Sequence, residues 1–233
     1  MSINLRDYQQ EVIDSARQSM RKNKRILVRA PTGAGKTIIA SSMMEAASSN
    51  SKKIFFICHR KELVDQTAGT LKKFGLKFGY IASGYPINFY APIQICSVGT
   101  LYNRLGKVPK PDLCIWDESH HIAAKTWNDI QTFYPSAFHV GLTATPKRGD
   151  GKPLKDNFDD LIHGPEVSWL IEQGFLAEYE LYSVPGIDRG ALHSRMGDFV
   201  KSESEQEMKK PSITGDIINH WSKYGRGKKT IMF

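Results

Sequence analysis

The chain has 233 residues, 40% of them hydrophobic and 24% charged, the usage of an ordinary folded protein, which sets aside disordered and fibrous classes. The length suits one large domain or a domain and a half, and no apolar run approaches the ~20 residues of a membrane helix. Residues 1–148 carry a net +11 and residues 149–233 a net −3, so the front half suits either a polyanionic partner or a solvated lysine-rich surface. The first seven residues hold no basic stretch followed by an apolar one, so no secretory signal is expected. The three cysteines, Cys58, Cys96 and Cys114, form no C-x-x-C pair and each sits in a β-rich apolar run. They read as buried free thiols of a reducing cytoplasm. His120 and His121 are isolated from any thiol pair, and no zinc site is expected.

In chain order, Leu5, Tyr8, Val12, Ala16 and Met20 recur three or four apart, which predicts an amphipathic helix over 5–20. Strands are expected at Ile26–Arg29, Lys53–Cys58, Ile93–Ser97, Leu113–Asp117 and His139–Thr143, with helices at about 36–48, 60–74, 99–105 and 124–132. Strands apolar on both faces, each followed by a helix, predict a mostly parallel central sheet covered on both sides, an α/β three-layer domain. Lys147–Pro153 reads as a polar loop and Pro165–Gln173 as a helix with Gly174 just past its end. A strand is expected at Leu176–Val184, a poorly patterned polar stretch at Pro185–Glu207, a helix at Ser212–Tyr224 and the opening of another strand at Thr230–Phe233.

Ala30-Pro31-Thr32-Gly33-Ala34-Gly35-Lys36-Thr37 lies between a strand and a helix. Glycines there let backbone N–H groups turn inward around phosphates while the helix presents its positive end. Lys36 is expected to reach the β- and γ-phosphates of ATP and Thr37 to supply a hydroxyl to Mg²⁺; Thr32, Gly33, Ala34 and Gly35 form the cradle. The first position is Ala30, a relaxed form of G-x-x-x-x-G-K-T. At the end of a buried strand, Asp117 is placed to hold Mg²⁺ opposite Thr37 and Glu118 to orient or deprotonate the attacking water. Lys36 and Glu118 are thus the candidate catalytic residues.

With these two motifs in place the chain resembles the first RecA-like motor domain of superfamily 2 helicases and translocases, with a DESH form of the DEAD/DEAH box at Asp117–His120. Leu5-Arg6-Asp7-Tyr8-Gln9 is similar to the family's adenine-reading element; the resemblance implies Gln9 on the adenine edge and Arg6 against the base, with Tyr8 packing. Phe56-Ile57-Cys58-His59-Arg60-Lys61-Glu62-Leu63 resembles motif Ia, which implies Arg60 or Lys61 on a nucleic-acid phosphate, the alternative being ordinary first-turn helix charges. Ser97-Val98-Gly99-Thr100-Leu101 resembles a later strand-to-helix contact and implies Thr100 there, in preference to Ser97. Gly141-Leu142-Thr143-Ala144-Thr145-Pro146 matches motif III, so that His120, Thr143 and Thr145 would couple the γ-phosphate pocket to nucleic acid. Within the class the phrases look most like RadD- and XPB-like DNA helicases.

The expected organisation is a RecA-like domain over 1–184, a connecting segment over 185–227 and, at 228–233, the first strand of a second RecA-like domain that carries the remaining arginines of the site. The expected function is the ATP-binding motor domain of a helicase or translocase that hydrolyses ATP to ADP and phosphate, with DNA favoured over RNA and no membrane partner. Two alternatives stay open: the translocating subunit of a restriction system, and a non-hydrolysing, ATP-gated nucleic-acid binding module. A small-molecule kinase, for which motif III has no role, is the poor third.

Overall fold

Short β-branched and aromatic runs build the sheet: β1 (Arg25–Arg29), β2 (Ile54–Cys58), β3 (Phe78–Ile81), β4 (Ile93–Ser97), β5 (Leu113–Trp116), β6 (Phe138–Thr143) and β7 (Asp160–His163). This computed structural model describes residues 4–146, 154–179, 194–195, 198–199, 218–228 and 230. The seven strands pair in the order β3-β4-β2-β5-β6-β1-β7, and every pairing is parallel. Parallel strands need crossovers, and α2 (Lys36–Ser49), α3 (Lys61–Lys73), α4 (Val98–Asn103) and α5 (Lys125–Phe133) supply helical ones, while α1 (Asp7–Met20) precedes β1 and α6 (Val167–Glu172) follows β7.

The period of two along the strands sorts the core into two layers. Ile54, Phe56 and Cys58 of β2 join Ile26, Val28, Ile93, Ile95, Ile115 and Val140 under Val12, Ile13 and Ala16 of α1, Met43 and Met44 of α2, and Val64 and Leu71 of α3. Phe55 and Ile57 join Leu27, Cys96, Cys114 and Trp116 on the other face, under Leu101 of α4 and Trp127 and Ile130 of α5. The expected α/β three-layer domain is therefore the observed one. All three cysteines are free and buried. Among the described residues no helix is long and apolar enough to cross a membrane.

Two strands were not anticipated, and both are edges of the sheet. β3 alternates half-buried and buried residues and contains Gly79; β7 opens on Asp160, and Ile162 is its one buried residue. Neither shows the two-sided apolar pattern of the inner strands, such as β2 and β5, which are buried throughout. The helix expected at Pro165–Gln173 is the shorter α6, with Glu166 at its N-cap. Of the strand expected at Leu176–Val184, residues 176–179 are irregular and the rest lies outside the described residues, as does the Lys147–Pro153 loop.

The chain divides into two compact units, 1–177 and 178–233. In the second, Ser194–Arg195 pairs antiparallel with Asp198–Phe199, a short ladder within the stretch read as polar and unpatterned. Of the helix expected at Ser212–Tyr224, residues 218–220 are helical and Trp221–Gly225 widens into a π-helix. Of Thr230–Phe233 only Thr230 is described, in irregular backbone.

Candidate active site

Because all strands of the sheet run one way, every loop that leaves a strand's carboxyl end emerges on one edge. The phosphate loop follows β1, His59 and Arg60 follow β2, Asp117 follows β5, and Thr143 ends β6. Register ties them: Arg29 pairs with Thr143, and Trp116 lies between Ile57 and Gly141. Lys36, Asp117, Glu118, Arg60, Thr100, Thr143 and Thr145, scattered over more than a hundred residues, therefore share that edge.

In the phosphate loop Gly33 and Gly35 have φ of +84° and +82°, backbone that favours glycine. Gly35 is also the N-cap of α2, so the loop ends on the helix's unpaired N–H groups. The Lys36 ammonium donates to Ala30 O across its own loop at 3.3 Å. A Cβ on Gly33 would sit 2.6 Å from Leu176 Cδ2, and one on Gly35 2.5 Å from Gln9 Nε2. Left-handed glycines, a lysine and the Thr37 hydroxyl make a donor set suited to a polyphosphate, and Asp117 adds the hard oxygen that Mg²⁺ takes alongside phosphate and water.

Asp117 follows the fully buried β5 directly. Burial and then the neighbouring Glu118 charge push its carboxyl above the ordinary value, opposed by the Glu118 N–H, Lys36 and His120. That N–H donates to Asp117 Oδ1 at 3.1 Å. Glu118 adopts a left-handed backbone, φ 50° and ψ 49°, and caps the short 3₁₀ turn Ser119–His121. Its Oε2 lies 3.3 Å from His120 Nδ1, which is also 3.4 Å from Thr143 Oγ1. The Thr143 hydroxyl gives its proton to Thr145 O at 2.9 Å and accepts from Thr145 N at 3.1 Å. His120 must then be the donor at Nδ1, shared between Glu118 and Thr143. Ser119 locks the same turn by donating to Leu142 O at 3.1 Å. The DESH box and the Thr143-Ala144-Thr145 turn thus form one hydrogen-bonded unit.

On the α1 side, Tyr8 and Gln9 both donate to Ala34 O, at 3.0 and 3.1 Å, and Gln9 Oε1 accepts from Arg6 N. Tyr8 packs edge-on against Trp169 and at a tilt against Phe175, as its reading as a packing residue anticipates, and the Arg6 guanidinium lies 4.5 Å over the Phe175 ring. Trp169 and Phe175 were not singled out in the sequence; aromatic residues more than 160 positions from Tyr8 carry no local signal of that contact.

Arg60 and Lys61 are both exposed, Arg60 at the N-cap of α3, and the Lys61 ammonium sits 5.8 Å over the Tyr85 ring. Ser97 donates to Thr100 Oγ1 at 2.9 Å, so the two hydroxyls act as a pair. His59 and His121 were also missed: their rings meet edge to face at 4.9 Å. The doubled histidine after Asp117-Glu118-Ser119 was the available signal.

The family described as type III restriction enzyme, res subunit, matches residues 2–148. A 51.5 kDa protein of a Lactococcus phage is 34% identical over 207 residues, 89% of this chain and 43% of that protein. The DNA 3'-5' translocase XPB2 of Sulfurisphaera tokodaii is 32% identical over 156 residues, 64% of this chain and 33% of its own. The chain thus spans less than half the length of these curated relatives. The nuclease-deletion form of the type ISP restriction-modification enzyme LlaGI, solved with a DNA substrate mimic, superposes with a TM-score of 0.62 at 18% identity, over 74% of this chain and 21% of that one, a likeness of fold.

Proposed function

The chain belongs to the res-subunit family of type III restriction enzymes, which carries the first RecA-like domain of superfamily 2 helicases, and from that premise we propose that it is the ATP-hydrolysing motor domain of a DNA helicase or translocase. One observation carries the reading: the Lys36 loop and the Asp117-Glu118-His120-Thr143 unit share the carboxyl edge of one parallel sheet.

In this reading the N–H groups of Gly33–Lys36 cradle the β- and γ-phosphates, and Lys36 leaves Ala30 O to neutralise charge on the transferring group. Thr37 and Asp117 would hold Mg²⁺, which would supply further charge neutralisation. Glu118 orients the water for in-line attack, and its carboxylate is placed for this by the left-handed backbone and by His120. Arg6, Tyr8 and Gln9 brace the loop from the base side. Arg60, Lys61 and Thr100 contact the phosphate backbone; such contacts read no bases. His120, Thr143 and Thr145 couple the two sites. Residues 1–184 form the motor domain, 185–227 the connecting segment, and 228–233 open a second RecA-like domain that closes the cleft. The three buried thiols suit a reducing cytoplasm.

A restriction-system translocating subunit is the second reading, supported by the family's description and by the type ISP neighbour. Both readings make the same first test. Phosphate release from ATP·Mg²⁺ should rise with DNA and vanish in Lys36→Ala, while Glu118→Gln keeps nucleotide binding and loses about 10²-fold or more of the rate. ATP-dependent DNA binding without turnover, unchanged in Glu118→Gln, would replace hydrolysis with the gated binding module.

A further inference from the structure

The contacts around His59 and His121 form an unbroken chain from the surface to the pocket. The exposed Arg60 donates Nε–H to His59 Nε2 at 3.1 Å. The His59 ring meets the His121 ring edge to face at 4.9 Å, and His121 meets His120 at 4.1 Å. His120 Nδ1 then reaches Glu118 Oε2 at 3.3 Å. Trp127 backs the pair, 6.3 Å from His59 and 5.8 Å from His121, so the rings have a wall and a restricted set of rotations. One end is a guanidinium beside the β2–α3 turn, and the other is the carboxylate beside Asp117.

The packing favours neutral rings in this stack. Burial and the adjacent Arg60 charge hold His59 below its ordinary value, and burial and the His120 neighbour hold His121 below its own, with Glu118 opposing in each case. A neutral imidazole accepts the Arg60 N–H and packs edge to face without charge repulsion.

We infer that the His59–His121 ring contact transmits nucleic-acid occupancy at Arg60 to the Glu118 carboxylate, making His59 and His121 positioning residues for ATP hydrolysis. The inference rests on the ATPase reading above and deepens it. In the resting chain Arg60 is engaged by His59 and Glu118 by His120. A backbone phosphate competes for the Arg60 guanidinium, because a charge-assisted bond to phosphate outweighs one to a neutral ring. Released from Arg60, His59 re-seats against His121 and Trp127. His121 and His120 are adjacent on a 3₁₀ turn anchored by Ser119, so a shift of one ring moves the other. The His120–Glu118 contact, which sets where the carboxylate points, is the last link. This is a second route between the two sites, separate from the Thr143–Thr145 turn.

The test is ATP turnover with and without duplex DNA in His59→Ala, His121→Ala and the ring-retaining His121→Phe. Both His59 and His121 are exposed, so the variants keep the core intact. The alanine variants should lose about five-fold or more of the DNA stimulation, with the DNA-free rate and the KM for ATP unchanged, and His121→Phe should restore much of it. Arg60→Ala combined with His121→Ala should lose no more stimulation than Arg60→Ala alone. Full stimulation in both alanine variants overturns the inference, and so does an equal fall in the DNA-free rate, which would mark a structural role. A histidine side-chain ¹⁵N spectrum decides the matter without turnover. Duplex DNA should shift the His120 resonances in the wild type and leave them in place in His121→Ala; unmoved wild-type resonances on DNA binding overturn the inference. A wild-type chain that binds DNA and moves His120 yet hydrolyses nothing keeps the ring chain and removes the ATPase reading.

Discussion

Acid should unfold this protein through His139, one strand away from the acidic pair. His139 is 2% exposed, accepts the Trp116 indole N–H at Nδ1 at 3.1 Å and donates from Nε2 to Tyr134 O at 3.0 Å. Both ring nitrogens are used by the neutral form, and protonation at Nδ1 would set a donor against a donor. Burial chiefly, against the pull of the Tyr134 carbonyl, lowers its pKa from 6.5 to about 4. Between those values the unfolded chain binds a proton that the folded chain does not. The stabilisation is therefore fully present above pH 6.5 and is lost as the pH falls through about 4. At ~1.4 kcal/mol for each unit, the whole shift amounts to roughly 3 kcal/mol, of which roughly 1.4 is gone one unit below the unfolded value. Urea unfolding at a series of pH values, wild type against His139→Gln, measures it as the pH dependence of the difference. Curves that stay parallel from neutral pH down to about pH 4.5 would show that the imidazole titrates alike in both states, and the argument would fail. Because Trp116 immediately precedes Asp117, nucleotide binding should weaken over the same window before the fold is lost.

The glycines separate by what surrounds them. Gly35→Ala puts a Cβ 2.5 Å from Gln9 Nε2 at φ +82°, so it should cost about 1–3 kcal/mol and abolish binding in a fluorescent-nucleotide titration. Gly141→Ala places its Cβ 2.5 Å from Phe158 Cζ, 2.8 Å from Ser119 Oγ and 2.9 Å from Leu27 Cδ1. Overpacking of that kind costs about 1–3 kcal/mol and should show as a lowered Tm. Gly69, inside α3, has nothing within 4 Å of an added Cβ, and Gly69→Ala should raise stability by about 0.5–1 kcal/mol in the same melt.

Inner strands announced themselves because burial on both faces writes an apolar run: β2 is Ile-Phe-Phe-Ile-Cys and every residue of it is buried. The phosphate loop was equally legible, since left-handed backbone selects glycine wherever it occurs. β7 was not, because it is an edge strand paired with β1 alone, with Leu161 and His163 exposed and Asp160 taking a hydrogen bond from Ser19 where an apolar residue would announce a core strand. What joins sites was also silent in the sequence. Nothing local predicts that His59 meets His121, or that Tyr8 sits among Trp169 and Phe175. Those contacts arise from strand order, which the run of residues does not encode until the crossovers are known.

Glu118 is the exception to the glycine rule and says most about the site. Apart from Ser51 it is the one non-glycine residue at positive φ among the described residues. For an L-residue that backbone costs roughly 1–2 kcal/mol, so stability alone would place glycine there. The carboxylate's partner offers little in return, since Glu118 and His120 are 34% and 28% exposed and the pair is screened by solvent. The side chain is held in a strained backbone because its position is needed, which is how strain at a functional position reads. Glu118→Gly should then leave the fold unchanged or stabilise it by up to about 1 kcal/mol, the relief of strain being partly offset by the unfolded chain's added freedom. ATP turnover should vanish while nucleotide binding persists. A denaturation midpoint lowered by the equivalent of about 2 kcal/mol or more would instead make the Glu118 carboxylate a structural strut and refute its assignment to the water.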